Sequence, residues 1–196
     1  MRDMLSVNGS SNVLINPEIE KKYQALNCDI STVDSDSYEK VKKLVKRNIK
    51  NIWRIQRKGE SEAFAKNIGN NKFLFHGSSS KNWVGILSRG LLMPKSVVKL
   101  GVNRTDAGWL GNGIYFGDVI QTSLNYAYPS KKGTKLISIA SVALGKIKKY
   151  EKITYGLNSA PNGYDSCHGV SGTEFDDDEF VIYSPNQQKL EFLLEI

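Results

Sequence analysis

The sequence predicts an α+β fold on a largely antiparallel or mixed sheet, and three observations lead there. Short apolar or alternating runs bounded by Gly, Asn and Pro outnumber the helical stripes. The helical stripes are brief, and there is no internal repeat. The chain has 196 residues, 40% of them hydrophobic, which suits a single domain with a core of its own.

Residues 1–25 are assigned to a flexible N-terminal tail, because the Ser/Asn-rich opening has no sustained period. Residues 26–196 form the folded domain. Asp36 and Glu39 have capping-box spacing, and Val41, Leu44 and Val45 continue a helical stripe to about Arg47. Trp53 and Ile55 alternate with Arg54 and Gln56 as in a half-buried strand. A short helix over Glu60 to Lys66 and a turn at 67–71 precede the strand Lys72-Phe73-Leu74-Phe75, which delivers His76-Gly77-Ser78. Trp83, Ile86 and Leu87 form the next helical stripe, closed by Gly90. Pro94 to Asn112 reads as a long connection, a length usually tied to function. Gly113 to Phe116 reads as a brief strand, and Asp118 as the cap of a helix to about Tyr128. Leu136 to Leu144 is the strongest strand. After a glycine-rich loop over Tyr155 to Gly172 come the strands Glu179 to Tyr183 and Lys189 to Ile196.

Composition excludes several classes. No run reaches the ~20 apolar residues of a membrane span, and the N-terminus lacks the layout of a secretory signal. Cys28 and Cys167 make no disulfide framework, so an intracellular setting, cytoplasmic or nuclear, is expected. The net charge of +7 is uneven: residues 1–100 hold 18 Lys/Arg against 9 Asp/Glu, and the remainder 9 against 11. Much of the excess lies between Lys40 and Lys58. That stripe suits nucleic acid or a polyanionic ligand, and it equally suits a solvated face.

Chemistry is narrowed by elimination. His76 and His168 are the only histidines, with no ligand pattern around them, so no metal is expected. A Walker loop and a Gly-x-Ser-x-Gly elbow are absent, and the Gly108/Gly111/Gly113 spacing precedes a strand, unlike the dinucleotide fingerprint. Three pieces remain. They are His76-Gly77 at a strand end, Gly113 to Phe116 followed by Ser123 and Tyr126, and Glu179 opening an apolar strand beside Asp176, Asp177 and Asp178. Each alone also reads as structure: a satisfied histidine, core or rim tyrosines, a solvated acidic turn. Crowded carboxylates would raise the proton affinity of Glu179, a pattern commoner at functional sites.

In order, these pieces resemble the catalytic domain of the poly(ADP-ribose) polymerases, the diphtheria-toxin-like ADP-ribosyltransferases. The matching runs are Leu74-Phe75-His76-Gly77-Ser78, Gly85 to Leu91, Gly111-Asn112-Gly113-Ile114-Tyr115-Phe116, Ser123-Leu124-Asn125-Tyr126, Val142-Ala143-Leu144-Gly145 and Asp178 to Tyr183. Within the family, Arg89 to Lys95, Gly101 to Gly108 and Ala160 to Val170 are similar to the vault-type branch.

The resemblance implies the ADP-ribosyltransferase fold, two small mostly antiparallel sheets flanking an NAD⁺ cleft with short peripheral helices. It implies an NAD⁺-dependent transferase that moves ADP-ribose, as a polymer or oligomer, to acceptor side chains or a growing chain and releases nicotinamide. The alternatives are a silent NAD⁺ or ADP-ribose binding module and a mono-transferase acting on protein or nucleic acid. The family's triad falls on His76, Tyr115 and Glu179. Gly77 would hold the nicotinamide amide through its backbone, where a side chain would block the approach, and Ser123 would add a hydrogen bond. Tyr126 and Tyr115 would flank the ring. His76 would bond the adenosine ribose, with Ser78 and Asn82 assisting, and Phe116 is counted with the NAD⁺-binding residues. Glu179 would stabilise charge developing at the ribose C1′. Thr122 stands where many members carry lysine, and the stretch from Gly163 to Asp178 is short for an acceptor-side loop. The acceptor is expected to be a protein, possibly the chain itself, or a nucleic acid, with no membrane partner. No regulatory helical domain is expected, leaving the site open without a DNA signal.

Overall fold

The computed structural model describes residues 16–101 and 107–196. Nine strands form one hydrogen-bonded ladder: β1 (Cys28–Thr32), β2 (Asn51–Arg57), β3 (Asn71–Gly77), β4 (Ile114–Gly117), β5 (Leu136–Ala143), β6 (Ile147–Tyr150), β7 (Ser166–Gly169), β8 (Glu179–Ile182) and β9 (Gln188–Glu195). Their order is β1-β2-β9-β5-β3-β4-β8-β7-β6. Every pairing is antiparallel except β6 with β7.

The ladder is two sheets stitched at one point. β3 pairs with β5 along its whole length, from Asn71 opposite Ala143 to Gly77 opposite Ile137. It meets β4 in register only at Phe75 and Gly117. Beyond that pair the strands diverge, so the expected two-sheet architecture holds with a fork between the halves.

The central strand β5 is the apolar run the sequence predicts, buried along both faces apart from Ser141. Among charged groups under the surface, Glu191 accepts from the Ser141 hydroxyl at 2.7 Å and pairs with Lys189 at 3.1 Å. On one face, Val41 and Val45 of helix α2 (Ser35–Val45) pack with Phe75, Ile137, Ile139 and Leu194. On the other, Trp83 and Leu87 of α4 (Trp83–Arg89) cover Leu74, Phe116 and Phe180.

Several expectations are corrected. Residues 17–24, placed in the tail, form α1 (Pro17–Gln24), started by Pro17 and by Asn16, whose side chain accepts from the Glu18 N–H at 3.0 Å. Tyr23 ties it down, packing on the core and accepting from the Ile30 N–H at 3.0 Å. The first 15 residues lie outside those described. The cap of α2 is Asp34, which accepts from the Ser37 N–H at 2.8 Å, and Asp36 sits inside the first turn. The Glu60–Lys66 helix is only α3 (Glu60–Ala63), followed by a 3₁₀ turn at Lys66–Ile68. The long connection after Pro94 begins with α5 (Pro94–Lys99), where proline at the first position starts a helix. Gly101 to Gly108 falls partly on residues outside the description. Asp118 caps nothing: α6 (Ile120–Leu124) follows Val119 without a side-chain cap and ends four residues short of Tyr128. β1, β6 and β7 go unpredicted, β7 lying inside the stretch read as a glycine-rich loop.

Candidate functional site

The fork is filled by α6. A Cβ built on Gly77 would overlap the Ser123 carbonyl oxygen, and one on Gly117 would press within 2.8 Å of the Thr122 Cβ. Two glycines, one from each diverging strand, therefore let the helix descend between them. At Gly77 the backbone of α6 by itself excludes a side chain.

Around this wedge lies a cavity of about 300 Å³. All nine residues expected in the site line it: His76, Gly77, Ser78, Asn82, Tyr115, Phe116, Ser123, Tyr126 and Glu179. They come from β3, the turn after it, β4, α6, the turn after α6, and β8. Sequence reasoning missed much of the opposite wall, which α4, α5 and the turn between them supply through Ile86, Leu91, Pro94 and Val97. It also missed Lys81 and Arg89, two cations at either end of α4 that face the cavity. Two basic residues eight apart, directly after His76-Gly77-Ser78, were the available signal.

His76 belongs to the β3–β5 half. Its Nδ1 lies 2.9 Å from the Tyr115 carbonyl oxygen, which can only accept. Nδ1 therefore carries a proton and donates it to that carbonyl. The imidazole leans on Phe116, centroids 5.7 Å apart at 58°. This bond also joins the halves just past their single ladder pair.

Tyr115 is clasped at its far end. Its hydroxyl donates to the Gly111 carbonyl at 2.9 Å and accepts from the Leu110 N–H at 2.9 Å. Tyr183 donates to the Leu110 carbonyl at 2.7 Å, and the Asn112 N–H donates to the Leu157 carbonyl at 2.6 Å. The glycine-rich approach to β4 is thus fastened to the second sheet, and the Tyr115 ring is held against the cavity.

Glu179 opens β8 opposite Gly117 on one side and Gly169 on the other. Its side chain is 7% exposed, and Oε1 accepts from the Tyr126 hydroxyl at 3.4 Å. The acids before it do not form one solvated turn. Asp178 Oδ1 is 2.5 Å from His168 Nε2 and accepts from the Ser171 N–H at 3.1 Å. Burial pushes the Asp178 carboxyl up, but the Ser171 and His168 bonds outweigh it and hold it below the usual 3.8. Nearby, burial and then the Asp178 charge push Asp118 above that value. The His168 ring stacks on Phe180, 4.4 Å between centroids and 10° from parallel. The start of β8 is therefore held from both sides.

Ser123 and Thr122 are both buried in α6, and the Thr122 hydroxyl has no hydrogen-bond partner among the described residues. Ser78 accepts from the Asn82 amide at 3.1 Å. No group of three or more His, Cys, Asp or Glu able to hold a metal occurs among the described residues.

A forked, mostly antiparallel α+β sheet with His, Tyr and Glu gathered at the fork is the ADP-ribosyltransferase fold. The family model of the poly(ADP-ribose) polymerase catalytic domain matches residues 28–175, and the chain belongs to that family. It is 42% identical, over all of its length, to proteins named protein mono-ADP-ribosyltransferase PARP4 from Mus musculus and Homo sapiens. It covers only 11% and 12% of those proteins. This agrees with the vault-type resemblance. Poly [ADP-ribose] polymerase 1 of Gallus gallus is 33% identical over 79% of the chain, which covers 16% of that protein.

Proposed function

We propose that this chain transfers ADP-ribose from NAD⁺ to an acceptor and releases nicotinamide. One observation carries the reading: His76, Tyr115 and Glu179, from three strands on both sides of the fork, converge on one cavity. Its volume is at the lower end of the ~300–1,000 Å³ usual for small-molecule sites.

The lining suits the parts of NAD⁺. The buried Ser123 hydroxyl and the Gly77 backbone are placed for the nicotinamide amide, and the rings of Tyr115 and Tyr126 offer flat faces for a cationic ring. His76, which lines the cavity, suits a ribose hydroxyl. Lys81 and Arg89 suit the pyrophosphate charge. As the glycosidic bond breaks, positive charge develops at the ribose C1′. The buried Glu179 carboxylate stabilises that charge, and Tyr126 keeps it oriented. The acceptor is a protein, the chain itself or a nucleic acid; no described helix is long and apolar enough to cross a membrane.

Transfer of a single unit is the second reading, favoured by the mono-ADP-ribosyltransferase name of the relatives 42% identical. Polymer growth is favoured by the retained glutamate and by the polymerase names of relatives at 28–33%. Incubating the chain with labelled NAD⁺ and weighing the products distinguishes them. Glu179→Gln keeps the side-chain shape and removes the charge, so release of nicotinamide falls roughly 10²–10³-fold. NAD⁺ affinity by calorimetry stays within a few-fold. Nicotinamide release by Glu179→Gln at the wild-type rate overturns the assignment, and no release by the wild-type chain favours a silent binding module.

A further inference from the structure

The basic stripe is not absorbed by the cleft. Residues 40–58 hold nine Lys/Arg and no Asp or Glu. Arg54 and Arg57 are engaged elsewhere, Arg57 with Glu60 at 2.9 Å and Arg54 near Glu191 at 3.9 Å. The cations at the end of α2 have no carboxylate partner among the described residues. Tyr38 and Lys42 lie one turn apart on the same face of the helix, and Lys46 follows as its left-handed C-cap. With Arg47, Asn48 and Ile49 they line a surface depression of about 410 Å³.

Three features make this more than a solvated face. Among the described residues, Lys42, Lys46 and Arg47 form no ion pair, so their charge is not neutralised internally. Tyr38 is 41% exposed, with the Lys42 Nζ 5.9 Å from its ring centroid, so an aromatic face stands beside the charges. The helix C-terminus contributes only about half a negative charge, which three cations outweigh. The site is also tied to α6 by one hydrogen bond. Arg47 donates to the Gln121 side chain at 3.2 Å, and Gln121 immediately precedes the cleft residues Thr122 and Ser123 in α6.

We propose that this depression binds single-stranded nucleic acid, with Lys42, Lys46 and Arg47 on successive phosphates and an unstacked base on Tyr38. A duplex offers phosphates but no free base face, and so would leave Tyr38 unused. Binding here would hold the strand beside α6, which carries Thr122 and Ser123 to the cleft. The proposal does not depend on transferase activity.

Fluorescence anisotropy with a labelled 20-nucleotide single strand, titrated in salt with the whole chain, tests it. Three phosphate contacts give a log–log salt slope of about −2, or roughly a 20-fold loss of affinity from 50 to 200 mM salt. Lys42→Gln/Lys46→Gln/Arg47→Gln flattens that slope by about 2 units. Tyr38→Ala weakens binding about 5–100-fold at an unchanged slope, as expected for one lost base stack. Tyr38→Phe binds as wild type. Circular dichroism and melting of each variant guard against misfolding. Binding that is absent at 50 mM salt, unaltered in the triple variant, equal for duplex of the same length or tighter for ADP-ribose chains overturns the proposal.

Discussion

Replacing Gly77 by alanine tests the wedge at the fork. The added Cβ overlaps the Ser123 carbonyl oxygen, a backbone atom that cannot rotate aside. To reach ordinary van der Waals separation, either α6 or the end of β3 must retreat by about 1.5 Å. Overpacking of this kind costs about 1–3 kcal/mol. In a chain of this size that lowers Tm by roughly 2–12 °C. The functional loss is larger, because the displaced segment carries Ser123 and the moved strand carries His76. A misplacement of about 1 Å is worth about 10²-fold in rate. Differential scanning calorimetry and nicotinamide release under saturating NAD⁺ read the two effects separately. The expected outcome is a folded protein with a modest Tm loss and at least ~10²-fold slower release. If Gly77→Ala melts as wild type and turns over within threefold of it, α6 is not wedged between the strands and the geometry of the site is wrong.

Two other outcomes follow from buried polar groups. Thr122→Val replaces a buried hydroxyl that has no partner, so it should stabilise by about 1 kcal/mol, seen as a Tm rise of about 2–4 °C; a fall would mean that the hydroxyl is bonded. Asp178 has a folded pKa below 3.8, so its bonds to Ser171 and His168 add stability above the unfolded value and lose it as pH drops through the folded one. The stability gap between wild type and Asp178→Asn is therefore full above about pH 5 and closes toward pH 2 in denaturant titrations; a gap that persists at the acid end contradicts the assigned bonds.

Legibility in the sequence tracked how local the cause was. β5 was readable because a central strand buried on both faces must be apolar along its length. Ser166-Cys167-His168-Gly169 carries no such pattern, and becomes β7 only by pairing with β8 and β6. The cap of α2 was misplaced by two residues because Asp34 and Asp36 both satisfy a local rule, and only the bond to Ser37 separates them. Pro94 was read as punctuation where it starts a helix. For the site, the ordered motifs marked every expected lining residue except Asn82, and the opposing wall lay within or beside the Gly85–Leu91 run without being read as lining, because its apolar positions look like core. The glycines at the fork were visible as residues but not as a cause, since Gly77 avoids a carbonyl of Ser123, far along the chain, and Gly117 avoids Thr122 only because the chain folds back there.

The single stitch between Phe75 and Gly117 means that neither half of the molecule contains the whole of the proposed reaction centre. One half keeps its imidazole and the other its tyrosine and glutamate, so a break at that seam could leave each fragment's ladder intact and catalysis at zero. Turnover is therefore a stricter gauge of structural integrity in this chain than any spectroscopic measure of strand content.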